Sequence, residues 1–199
     1  MKSGNPRADH YTRRAKREGY PARSVYKLEE IQQKFRILHR GMKVLDIGAS
    51  PGSWSMYTLE IVGESGRIIG VDLKDLPEIA DKRFLFLKGD AFGFELADRI
   101  RAEAPFDAVL SDAAPSTTGN RGVDSARSLG LAEGAAELSI RHLRQGGNLV
   151  LKLFQGGNEK DLFQLLRNHF KDVKRIKPKA TRSESFEIYL VAQKKIAAL

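Results

Sequence analysis

Five short apolar runs alternate with segments of helical spacing, and few folds accommodate that order. The runs are residues 43–47, ending at Gly48, 67–71, ending at Asp72, and 84–87, ending near Asp90; residues 106–110 end at Asp112, and 148–151 run into Lys152. They lack a clean period of two, as strands buried on both faces of a parallel sheet do. Helices are expected near 53–62, 94–103, 125–144 and 158–169. Strand and helix in alternation imply a doubly wound α/β sheet, mostly parallel. Two further strands are expected near 172–177 and 185–193. The stretch joining them, which contains Pro178, is too short for a helical crossover, so they are expected to be antiparallel. The reading is a seven-stranded sheet with a terminal antiparallel strand. Ahead of it, residues 24–38 place Val25, Leu28, Ile31, Phe35 and Leu38 at helical spacing. In such sheets ligands bind beyond the carboxyl ends of the strands, where the order of strands reverses.

The 199 residues suit one domain, here a basic extension over 1–20 and a catalytic domain over 21–199. With no cysteine there is no disulfide framework, thiolate metal site or cysteine nucleophile. No apolar run reaches the ~18 residues of a membrane span. The segment 1–7 lacks the apolar stretch of a secretory signal, so a cytoplasmic protein is expected. Net charge is +9, but unevenly spread: +8 over residues 1–43, −5 over 44–166 and +6 over 167–199. Basic flanks around an acidic middle suggest a polyanion partner, with a solvated basic surface as the alternative. The basic segments lack the apolar face that a membrane surface would require. Arg13, Arg14, Lys16, Arg17 and Arg23, with Lys174, Arg175, Lys177 and Lys179, are candidates for a phosphate-binding rim.

The first strand opens into Asp46-Ile47-Gly48-Ala49-Ser50-Pro51-Gly52-Ser53-Trp54. Glycines there permit a tight turn and close approach of a ligand before a helix. The segment is neither G-x-G-x-x-G nor a phosphate-binding loop ending in Gly-Lys-Ser/Thr. Asp72 is placed to accept both hydroxyls of an adenosine ribose, Asp90 to approach the base, and Asp112 to lie at the centre of the cleft. Any one of these could be a solvated strand end. Three in succession after a glycine turn point to an adenosine-containing cofactor. The loop's departure from the dinucleotide pattern favours S-adenosylmethionine, with NAD still open. Trp54 is either core packing at a helix start or a wall of the cofactor pocket.

For methyl transfer, the lack of cysteine argues against covalent attack on pyrimidine C5. Asp112-Ala113-Ala114-Pro115-Ser116 lacks the aromatic ring expected for methylation of an exocyclic amine. A hydroxyl acceptor remains, and a ribose 2′-OH needs help to become a nucleophile. A lysine supplies that help if burial or nearby positive charge neutralises it. Lys152 ends an apolar run, an unfavourable place for a charge unless it faces a cleft, and Asp112 is its natural partner. A structural Lys–Asp pair is the alternative. Glu187 is a similar oddity within 185–190, whereas Lys27 alone reads as an ordinary surface lysine.

Together these segments resemble the FtsJ/RrmJ (RlmE) family of ribosomal RNA 2′-O-ribose methyltransferases, over about residues 20–193. The resemblance rests on Arg23-Ser24-Val25-Tyr26-Lys27-Leu28, the segment 45–54, Ser111-Asp112-Ala113-Ala114-Pro115, Leu151-Lys152-Leu153-Phe154-Gln155-Gly156, and Lys177-Pro178 followed by Arg182-Ser183-Glu184-Ser185. It implies a Rossmann-like methyltransferase fold and S-adenosylmethionine as cofactor. The implied target is a uridine of 23S ribosomal RNA in the large subunit, and no metal is implied; nothing in the sequence demands more than a monomer. The family's Lys-Asp-Lys-Glu set falls on Lys27, Asp112, Lys152 and Glu187, with Lys152 as base for the 2′-OH. The implied cofactor contacts are Gly48, Gly52, Trp54, Asp72, Asp90 and Asp112. Transfer RNA as substrate, or an RNA-binding assembly role, are the alternatives.

Overall fold

The computed structural model describes residues 6–156 and 159–197, with side chains described from His10 onward. The first five residues of the expected basic extension, and Asn158 at the start of the expected 158–169 helix, lie outside the described residues. The elements run α1 Pro6–Arg17, α2 Val25–Phe35, β1 Lys43–Ile47, α3 Ser53–Val62, β2 Arg67–Asp72, β3 Phe84–Lys88 and α4 Phe94–Glu103. After these come β4 Phe106–Ser111, α5 Arg121–His142, β5 Leu143–Phe154, α6 Lys160–His169, β6 Phe170–Ile176 and β7 Glu187–Lys195. They form one seven-stranded sheet in the order β3-β2-β1-β4-β5-β7-β6. β1 to β5 are mutually parallel; β7 is antiparallel to both β5 and β6. The antiparallel strand is last in the chain, yet it lies inside the sheet rather than at its rim.

Strand alternation sorts the core into two layers. Leu45, Ile47, Val109, Leu149, Leu151, Ile188 and Leu190 face α4, α5 and α6, packing on Ile100, Ala135 and Leu162. Val44, Leu110, Val150, Tyr189 and Val191 face α2 and α3, packing on Leu28, Ile31, Trp54 and Leu59. The same alternation puts Lys152 on the α2 face with Val150, and Glu187 there with Tyr189.

Three elements depart from the sequence reading. α1 occupies much of the stretch read as an extension. It carries few apolar side chains and docks through Tyr11 and Ala15 against Tyr26 and Ala180. α2 ends at Phe35 because Arg36 turns left-handed (φ 51°) and returns its N–H to the Gln32 carbonyl, at 2.8 Å; Leu38, expected within the helix, lies beyond it. α5 begins four residues before the expected 125, where the Asn120 side chain accepts the N–H groups of Gly122 and Val123 as an N-cap. Among the described residues, no helix is long and apolar enough to cross a membrane.

Candidate active site

The sheet order reverses between β1 and β4, and a cavity of about 760 Å³ opens beyond their carboxyl ends. Gly48, Asp72, Asp90 and Asp112 line it, with Ala113, Phe92 and Leu131 on its apolar walls. At Gly48 φ is +77°, and a Cβ would meet the Ala113 N and Cα at 2.8 Å, so glycine is required by both conformation and space. The Asp72 carboxylate is oriented by two backbone N–H groups, from Ser50 at 2.9 Å and Lys74 at 2.8 Å. Phe92 N–H similarly donates to Asp90, at 2.9 Å. Each oxygen retains capacity to accept from a ligand.

Gly52 and Trp54 are not on this cavity wall. Gly52 (φ 107°) precedes α3, where a Cβ would sit 3.3 Å from Ile79. Trp54 is 3% exposed, its indole N–H donating to the Ser24 carbonyl at 2.9 Å and its ring 5.7 Å from that of Tyr189. Its place is the core between α2, α3 and β7, the first of the two readings the sequence allowed.

The four residues of the expected Lys-Asp-Lys-Glu set meet in one cluster. Lys152 Nζ lies 3.2 Å from Asp112 Oδ1 and 3.5 Å from Glu187 Oε2, and Lys27 Nζ pairs with Glu187 Oε1. Register explains the meeting. Ser111 aligns with Leu151, which sets Asp112 beside Lys152; Lys152 faces Tyr189, and Glu187 follows two residues along the same face. α2 lays Lys27 over the group. Lys152 is 10% exposed and Glu187 9%, so these charges are largely desolvated and mutually neutralising. Burial draws the Lys152 pKa down, but the Asp112 and Glu187 carboxylates outweigh it and hold the ammonium above its ordinary value. Burial alone would raise Asp112; Lys152, Lys27 and the Tyr189 hydroxyl together keep it below the usual carboxylate range. This pairing favours the ammonium form of Lys152, whereas a base must be the neutral amine.

One residue that the sequence reading did not single out supports this cluster. Tyr189 OH donates to Asp112 Oδ1 at 2.5 Å, and its ring lies under Lys27 and against Trp54. Tyr189→Phe keeps the ring and removes a bond to a charged acceptor, so it is expected to cost about 1.5–3 kcal/mol in urea unfolding. A variant as stable as the parent would show that the hydroxyl holds nothing.

Asp46, on the same sheet face, is fully buried; Ser55 Oγ donates to its Oδ2 at 2.6 Å, and its Oδ1 has no partner among the described residues. Burial, with Asp112 and Asp72 nearby, pushes its pKa from 3.8 up to about 7. Between those values the unfolded chain releases a proton that the folded chain keeps. Folding stability from this group therefore falls as pH rises from about 4 to 7 and stays lost above. Asp46→Asn should gain about 2–3 kcal/mol relative to the parent between pH 5 and pH 8. Chemical unfolding at the two pH values measures this, and a pH-independent difference would contradict it.

The cavity's donor set suits one kind of ligand. Three carboxylates would repel a pyrophosphate, but they match a ribose diol and a cationic sulfur or ammonium group. A second cavity, of about 320 Å³, opens on the other side of the cluster and is lined by Lys27 and Glu187 together with Arg23 and Arg182. Among the expected phosphate-rim residues, Arg14 is committed elsewhere. It bonds Glu18 at 2.9 Å and Glu29 at 3.3 Å and stacks 4.1 Å over Tyr26, pinning α1 to α2. Lys174 and Arg175 are exposed on β6.

Comparison with known proteins gives the same answer as the geometry. Residues 20–195 match the family model described as FtsJ-like methyltransferase. A Treponema denticola protein named ribosomal RNA large subunit methyltransferase E is 47% identical over 184 residues, which cover 92% of each chain. A protein of the same name from Syntrophobacter fumaroxidans is 49% identical over 187 residues, covering 94% of this chain and 95% of that one. A crystal structure from Plasmodium falciparum, described as that of a ribosomal RNA methyltransferase, superposes with a TM-score of 0.80 at 28% identity, over 90% of this chain and all of that one. The MycE methyltransferase of the mycinamycin pathway, solved with Mg and SAH, shares the fold at a TM-score of 0.58 and 16% identity, over 93% of this chain and 55% of its own. With strand order and sequence in agreement, the chain belongs to the FtsJ-like methyltransferase family, whose methyl donor is S-adenosylmethionine.

Proposed function

We propose that this protein methylates the ribose 2′-oxygen of a uridine in 23S ribosomal RNA of the large subunit. The observation that carries the reading is the position of the Lys27–Asp112–Lys152–Glu187 cluster between two cavities. Asp112 reaches the larger, carboxylate-lined cavity, while Lys27 and Glu187 reach the smaller, arginine-flanked one. A donor on one side and an RNA ribose on the other would meet at Lys152. The names of the relatives support ribosomal RNA as the acceptor, and the resemblance supplies the uridine.

In this reading Gly48, Asp72, Asp90 and Asp112 hold S-adenosylmethionine, which supplies an electrophilic methyl carbon on a positive sulfonium. Lys27 and Glu187 orient the ribose. Lys152 would give up its proton to solvent before or as the nucleotide settles, because a further positive charge beside Asp112 unbalances a cluster that is otherwise neutral. The free amine would then take the 2′-OH proton as the oxygen bonds to the methyl carbon and the carbon–sulfur bond breaks, S-adenosylhomocysteine being the leaving group; alignment of oxygen and methyl would supply much of the rate. The proposal extends to a single-domain monomer acting in the cytoplasm, where ribosomal RNA is available.

The test is methyl transfer from labelled S-adenosylmethionine to large subunits, free 23S RNA and bulk transfer RNA, with the nucleoside identified by mass. Label as 2′-O-methyluridine in 23S RNA is the expected result. Label on transfer RNA alone would move the substrate; cofactor binding without label on any RNA would favour an assembly role.

A further inference from the structure

We propose that Gly130 sets the purine tolerance of the larger cavity: it leaves the α5 wall open at the exocyclic-amine edge of adenine, so that the protein binds adenosyl ligands enlarged at N6. The inference rests on the reading that S-adenosylmethionine occupies this cavity, and it holds whichever RNA accepts the methyl group.

α5 carries two glycines in its interior, Gly130 and Gly134. Both placements are disfavoured relative to alanine, because glycine gives up the most backbone freedom on entering a helix. Gly134 has a packing reason. A Cβ on it would lie 3.1 Å from Phe92 Cδ1 and 3.2 Å from Phe92 Cγ, so the phenyl ring rests directly on the helix backbone. Gly130, one turn nearer the start of α5, has no such reason. A Cβ there would meet no atom within 4 Å, and its φ is not left-handed. Yet Gly130 lines the larger cavity, flanked on the same helix by Arg127 and Leu131. Neither backbone conformation nor packing asks for a glycine at this position. The space above it belongs to the cavity.

Strand order identifies the purine end. Asp90, Asp72 and Asp112 follow β3, β2 and β4, so an adenosyl ligand with its sulfonium at Asp112 and its ribose at Asp72 brings its base to Asp90. A carboxylate only accepts hydrogen bonds, and the exocyclic amine is the one donor that the adenine of a nucleoside offers. The amine edge is therefore the edge that meets Asp90. Phe92, whose N–H donates to Asp90 at 2.9 Å, carries the wall from there across to α5, where its ring ends on Gly134. A flat substituent on N6 extends beside that ring and over Gly130, and aromatic rings so placed attract one another. Any larger side chain at 130 fills the same space.

The experiment is calorimetric titration of the parent, Gly130→Ala and Gly130→Leu with S-adenosylhomocysteine and with its N6-benzyl derivative. The parent should bind the two ligands within about tenfold of each other. Gly130→Leu should keep S-adenosylhomocysteine within about threefold but weaken the benzyl derivative by about 10- to 100-fold, the scale of an overpacked contact. Gly130→Ala should show a smaller loss of the same kind. Both variants should melt above the parent, since helix propensity improves and no neighbour is displaced.

A lower melting temperature would show the glycine serving the fold and would overturn the proposal. So would a parent that binds S-adenosylhomocysteine but rejects the benzyl derivative, or a leucine variant that binds both as the parent does. Asp72→Asn tests the underlying reading separately and should weaken both ligands alike, by about 10- to 100-fold. Parental affinity in that variant would place the cofactor outside this cavity and remove the reading together with the proposal, whereas failure at Gly130 alone leaves the reading standing.

Discussion

Lys152→Ala is expected to lower the methyl-transfer rate by about 10²–10⁴-fold, the span a positioned general base contributes, while cofactor affinity stays within a few fold. The asymmetry follows from position. Lys152 touches Asp112 and Glu187 but is not part of the wall of the larger cavity. Removing it leaves two largely buried carboxylates sharing Lys27 alone, so a stability loss accompanies the rate loss. Calorimetric titration with S-adenosylhomocysteine separates the two effects, since a folded variant that binds the product normally has lost chemistry only. The pH profile gives a second check. Because the two carboxylates hold the Lys152 ammonium above its ordinary pKa, single-turnover rate should climb with pH across the neutral and mildly alkaline range. Full activity in the alanine variant, or a rate flat with pH, would contradict the base assignment.

Asp112→Asn should act on both sides of the cluster at once. The carboxylate lines the larger cavity and bonds Lys152 and Tyr189. Its neutralisation should weaken binding of S-adenosylmethionine by about 10- to 100-fold, the scale of a bond to a charged group. S-adenosylhomocysteine, which has no sulfonium charge, should lose less. At the same time Lys152 loses one of the two carboxylates that raise its pKa, and burial then counts for more. The remaining activity should therefore peak at lower pH than in the parent. Equal losses for the two ligands would place the sulfonium away from Asp112, and an unmoved profile would uncouple Asp112 from Lys152.

The sequence exposes Lys152 and Glu187 because each puts a charge into an apolar run, where only a cleft or a partner makes it tolerable. Asp72, Asp90 and Asp112 are visible as successive strand ends. Tyr189 and Asp46 are hidden for the opposite reason. A tyrosine within Phe186-Glu187-Ile188-Tyr189-Leu190 reads as core, and an aspartate within Val44-Leu45-Asp46-Ile47 reads as an interrupted strand. Their importance depends on which face each takes and on contacts with Asp112 and Ser55 that come from distant elements. Trp54 shows the same limit, because the Ser24 carbonyl that fixes its indole lies thirty residues upstream. α1 escapes a periodicity reading since its docking uses only a few side chains, chiefly Tyr11 and Ala15. Arg182 stands in a recognisable motif, but only the contacts of Lys179 with Glu30 and of Ala180 with Arg23 bring its segment to the cavity that Arg23 and Lys27 also line.

The central claim is that the methyl group goes to a ribose oxygen rather than a base. Ribosomal RNA labelled by the enzyme with radioactive S-adenosylmethionine can be hydrolysed in alkali, which requires a free 2′-hydroxyl beside each cleaved phosphodiester. The account predicts label in alkali-resistant dinucleotides. Label released wholly in mononucleotides would mean base methylation and would contradict it.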